Sequence, residues 1–99
     1  MASRKQDAQR LRDFFSSPDK WTKEVAQPGA LCLIEAIQFL TREDKSYDAR
    51  RMIMFLSEQL PERFQNKEKN GGYIGLFNDD PGTTFETIQT FLDECVKKA

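Results

Sequence analysis

Histidine is absent from the 99 residues, and this removes imidazole from every mechanism open to the chain. Without it there is no Ser-His or Cys-His couple and no imidazole metal ligand. Only two cysteines occur, Cys32 and Cys95, too few for a disulfide framework or a thiolate zinc site. No apolar run is longer than that from Ala30 to Ile34. That is far short of the ~20 residues a membrane helix needs, and too short for the core of a signal peptide. An excess of either charge is missing too. Lys and Arg number 15 against 16 Asp and Glu; residues 1–20 carry +5 −3, residues 21–65 carry +6 −7, and residues 66–99 carry +4 −6. No third is strongly basic, which argues against a dedicated binder of phosphate backbones. Gly71-Gly72 with Gly75 lacks both the lysine and the spacing of a phosphate loop. The expectation is a soluble, cytoplasmic chain without metal or cofactor.

What is present suffices for one core: 38% of residues are apolar and 11% aromatic. A chain of this length buries roughly 60–65% of its unfolded surface and needs no staple. Apolar residues recur at helical spacing, and period-2 alternation is nearly missing. The first helix is predicted from about Ser3 to Phe15, with Ala8, Leu11 and Phe15 inward and Arg4, Lys5, Asp7, Arg10 and Arg12 in water. Ser16-Ser17-Pro18 stops it. Asp19 is placed to cap a short turn, and Trp21 to plug the core from an irregular segment.

A second helix is expected from Gly29 to Thr41. Ala30, Leu33, Ile34, Ile37 and Leu40 share one arc, while Cys32, Ala36 and Phe39 lie nearly opposite, so it is packed on two sides. The third is predicted from the cap-rich Asp44-Lys45-Ser46 to Leu60. Its stripe is Ala49, Met52, Ile53, Leu56 and Leu60, with a break at Pro61 and a last turn carrying Phe64. Tyr73 to Phe77 reads as one helical turn rather than a strand, since no second strand is available to pair with it. Thr83 and Glu86 suggest a capping box for the final helix, whose stripe is Phe85, Ile88, Leu92, Cys95 and Val96. The fold expected is all-α, a single domain over residues 1–99, with four main helices around a central buried helix at about 29–41.

Few residues invite chemistry. Asn78-Asp79-Asp80 sets three oxygen-bearing side chains in a row, but counting from Asp79 or Asp80 puts Thr90 or Phe91 where an EF-hand needs glutamate. Hydrogen bonding to the backbone at the entry to the last helix is the expected role. Both cysteines fall on apolar faces and read as buried structural thiols. Glu35, on the polar edge of a buried helix, is either a partly desolvated carboxylate or a salt-bridge partner of Arg50, Arg51 or another base. Arg42, Lys45, Arg50 and Arg51 cluster among Glu43, Asp44 and Asp48, as a solvated face does, with weak anion binding as the alternative. Met54, Phe55 and Tyr73 fit no principal stripe. They either form an exposed patch for a partner or cover the second face of the central helix.

The order of Trp21, an Ala30-Leu31-Cys32 segment opening a helix with Glu35-Ala36, Phe77-Asn78-Asp79, Pro81-Gly82, Thr84 and a closing Ile88–Leu92-Asp93-Glu94 helix resembles a family of small bacterial and phage domains of unknown function. The likeness covers about residues 8–99. It implies an all-α domain and a bacterial or phage origin, and brings no activity, cofactor or catalytic residue.

The function expected first is that of a non-catalytic interaction protein, an accessory factor that binds and modulates a protein partner. An alternative is a module that binds or sequesters a nucleotide-like anion, with Arg42, Arg50 and Arg51 on phosphates and Tyr73 or Trp21 stacked on a base. An enzyme using Glu35 and Asp79 ranks below both. A helix-turn-helix ranks last, because the second helix is too apolar to read a groove. A second copy of the chain is a further candidate to complete the two-sided helix.

Overall fold

A computed structural model describes residues 3–23, 29–45, 47–64 and 74–99. Tyr73 lies outside them. The described residues form five α-helices: α1 (Arg4–Phe14), α2 (Leu33–Glu43), α3 (Ala49–Gln59), α4 (Ile74–Asp79) and α5 (Phe85–Lys98), with 3-10 turns over Pro18–Lys20 and Glu62–Phe64. The all-α expectation holds, and so does the single helical turn in place of a strand after Tyr73.

Helix α1 begins where Ser3 and Gln6 cap each other's backbone N–H groups. It lies along α5, and α2 packs against α1, α3 and α4. Leu33, Ala36 and Ile37 are fully buried at this junction, so α2 is the hub. It nevertheless starts four residues later than its apolar pattern predicts. Gly29 adopts a left-handed φ of +81°, a conformation glycine tolerates without a steric cost. Leu31 is extended: its N–H donates to Lys20 O at 3.0 Å and its carbonyl accepts from Thr22 N at 3.3 Å. Ala30 is buried all the same. Extended residues feeding inward thus prolonged the apolar pattern without prolonging the helix.

Helix α3 starts at Asp48, whose carboxylate accepts from Arg51 N at 3.0 Å, rather than at residues 44–46. Asp44 instead closes α2 as its C-cap. Pro61 ends α3 as expected, because the residue before a proline is driven out of the helical region; Leu60 is extended at φ −61°, ψ 150°. Phe64 is then buried from the following 3-10 turn. The N-cap of α5 is Thr84, paired with Thr87, in place of Thr83 with Glu86. Thr83 is buried, and its hydroxyl donates to Phe77 O at 2.7 Å. It thereby satisfies one of the last carbonyls of α4, instead of capping α5.

Candidate functional site

The polar residues that stand out in the sequence fall into two groups. The first surrounds Asn78, which is fully buried on α4. Its Oδ1 accepts from Trp21 Nε1 at 2.6 Å and from Leu33 N at 3.2 Å. Its Nδ2 donates to Thr22 O at 3.1 Å and Asp79 Oδ1 at 3.0 Å. Every bond its amide can make is made. Leu33 N is one of the first N–H groups of α2, which have no partner inside the helix. Asn78 therefore caps the hub helix from across the fold, while holding the Trp21 indole. The expected role at the entry to the last helix belongs instead to Asp80, which accepts from Gly82 N at 2.9 Å. Arg63 donates to both Asp80 oxygens at 3.3 and 3.2 Å, and Lys23 Nζ donates to Asp80 O at 2.8 Å. Arg63's hydrogen bonds, then that from Gly82, hold the Asp80 carboxyl below the usual carboxylate range.

The second group joins α1 to α3. Asp7, expected in water, is 0% exposed and accepts from Arg51 Nη2 at 2.9 Å. Tyr47 is buried beside it, and among the described residues neither the Tyr47 hydroxyl nor Asp7 Oδ1 has a hydrogen-bond partner. Burial, then the Asp7 charge, pushes the Tyr47 phenol above its ordinary range. Arg10 stacks 5.6 Å from the Tyr47 ring centre and reaches Asp44 at 2.6 Å. A signal for Asp7 existed in the sequence: it precedes Leu11 by one helical turn and adjoins Ala8, both core residues. Tyr47 carried none: in the predicted third helix it falls opposite the apolar stripe, and α3 itself begins only at Ala49.

Glu35 is half-buried in the first turn of α2, beside the Cys32 thiol. Burial raises that thiol, and the Glu35 carboxylate adds to the effect. Arg51 pairs with Asp7 instead of Glu35. Asp79 borders a groove with Arg63, Phe64, Leu76, Asp80 and Pro81. Cys95 is buried, and burial pushes its thiol up to about 12.

An open groove of about 350 Å³ runs along α3 toward the start of α1, lined by Arg4, Asp48, Arg50, Arg51, Met54, Phe55 and Glu58. Met54 is 40% exposed. Phe55 is only 4% exposed, because the Arg4 guanidinium covers its ring at 4.5 Å. Met54 is thus exposed, while Phe55 is buried beneath Arg4 of α1. Arg50 and Arg51 share the groove; Arg42, exposed in the last turn of α2, is not part of it. Leu76, at 56% the most exposed large apolar side chain described, borders a different groove with Arg63, Phe64 and Pro81. Its position in a short apolar run hid its exposure from the sequence.

Among the described residues no helix is long and apolar enough to cross a membrane, and no cluster of three or more His, Cys, Asp or Glu is placed to hold a metal ion. No curated protein and no solved structure matches the chain. A family model does: over residues 5–98 the match is to the family of unknown function DUF6197, and the chain belongs to that family.

Proposed function

We propose that this domain is a non-catalytic interaction protein, an accessory factor of bacterial or phage origin that binds and modulates a protein partner in the cytoplasm. The observation that supports this most is the division of labour among its side chains. Asn78, Asp80, Asp7 and Arg51, the polar groups with the most elaborate surroundings, bond to other parts of the fold. The α3 groove, in contrast, presents a half-exposed methionine among charges. An apolar anchor ringed by polar residues is the composition of a partner-binding surface.

Capture of partners from a lysate of the source organism tests the reading, with Met54→Asp as the matched variant. Phe55→Asp does not serve, because Phe55 is a core residue and its loss would unfold the domain. A partner retained by the native domain and lost by Met54→Asp is the expected result; an identical set of captured proteins would discard it. The nucleotide-sequestering alternative is checked by a thermal-shift panel of nucleotides, in which a flat response is expected.

A further inference from the structure

We infer that the groove beside Met54 takes an acidic peptide segment that carries an apolar side chain. The inference rests on the proposal that this face is the partner-binding surface, and it names the chemistry of the partner. Charge complementarity carries it. Arg4 and Arg50 both line the groove, and neither makes an ion pair among the described residues. Arg4 is held over the Phe55 ring at 4.5 Å, and a guanidinium so placed keeps its fork of N–H groups for a carboxylate. The Asp48 carboxylate in the same groove is engaged by the first turn of α3. The apolar floor between these charges is Met54 with the edge of Phe55.

The same geometry disfavours other anions. The groove is open and shallow, whereas a small-molecule site encloses most of its ligand. An extended or helical segment lying across α3 would set its apolar side chain on Met54 and its carboxylates on Arg4 and Arg50.

The test is a titration of the isotope-labelled full chain, followed by NMR into the millimolar range, with two synthetic peptides. Both carry a central leucine-phenylalanine pair, flanked by glutamates in one and lysines in the other. The expected result is that the glutamate peptide shifts the resonances of Arg50 and Met54 and binds at least about tenfold more tightly than the lysine peptide. Arg50→Glu should reverse that order, and Met54→Asp should weaken both complexes; circular dichroism confirms that each variant is folded. Equal affinity for the two peptides, no binding of the glutamate peptide, or an unchanged order with Arg50→Glu overturns the inference. So does inorganic triphosphate displacing the peptide from the groove. Self-association of the free protein that Met54→Asp abolishes overturns it too, by assigning the face to a second copy. Lysate capture that still depends on Met54 while the glutamate peptide fails would leave the interaction surface standing and reject only the acidic partner.

Discussion

Asn78 shows how much one side chain can hold. Its amide serves the Trp21 indole, the start of α2 and the Thr22 carbonyl at once. Asn78→Ala should cost about 2–3 kcal/mol, because it strands buried donors and acceptors. Asn78→Asp should cost at least as much at neutral pH, since two donor contacts become carboxylate facing carbonyl and carboxylate. That deficit should shrink as acid restores an O–H donor; urea unfolding of both variants across pH checks this. Asp80 provides a second pH dependence. Its folded carboxyl lies below its unfolded value near ~3.9, so the unfolded chain binds more protons in acid. The contribution is fully present above that value and disappears as pH falls through the folded pKa. Arg63→Ala should therefore lower stability at pH 7 and converge with the native protein in strong acid. A gap that persists there would point to lost packing of Arg63 on Phe64, whose ring centre lies 4.2 Å away.

At the scale of elements, the helices are joined by ion pairs as well as by apolar contact. Arg51 to Asp7 links α3 to α1, Arg10 to Asp44 links α1 to the end of α2, and Arg12 to Asp93 links α1 to α5. Only the first involves a fully buried partner. Arg51→Ala should cost about 2–3 kcal/mol, below the range of a wholly buried pair because Arg51 reaches solvent. The double variant Asp7→Leu with Arg51→Met should recover most of that loss, as measured by denaturant unfolding. For α5, Thr84→Ala should cost about 1 kcal/mol through the lost cap, and Thr84→Ser should restore it. A larger effect from Glu86→Ala than from Thr84→Ala would contradict the observed capping pair.

For the molecule as a whole, neighbouring positions on α3 should behave oppositely. Phe55→Ala should destabilise by about 3–5 kcal/mol as a core deletion, whereas Met54→Ala should stay within about 0.5 kcal/mol. Thermal unfolding of the two distinguishes a residue of the core from one of the surface. Of the two thiols expected to be buried, Cys95 is part of the interior and Cys32, at the N-cap of α2, is half-buried. With Cys95 pushed up to about 12 and Cys32 also raised, a thiol reagent at pH 7.5 should label the native protein slowly and both cysteines rapidly in urea. Rapid native labelling of Cys95 would mean that α5 opens without global unfolding.

The sequence by itself determined the helix faces, since Leu11, Leu33, Ile37, Met52, Leu56, Ile88 and Leu92 recur at helical spacing and are all buried. It also determined where α3 stops, because Pro61 acts on Leu60 just before it. Local rules were enough for both. Tertiary structure alone decided the ends that depend on distant partners. Cys32 opens α2 because Asn78 supplies the missing acceptor and Leu31 is held extended beside Trp21. Tertiary structure also settled the fate of the polar and off-stripe residues: Asp7 is drawn inside by Arg51, Phe55 is roofed by Arg4, and Met54 is left at the groove. Burial of a charge or a ring at the margin of a helix depends on what a segment some fifty residues away brings against it, and no local periodicity encodes that.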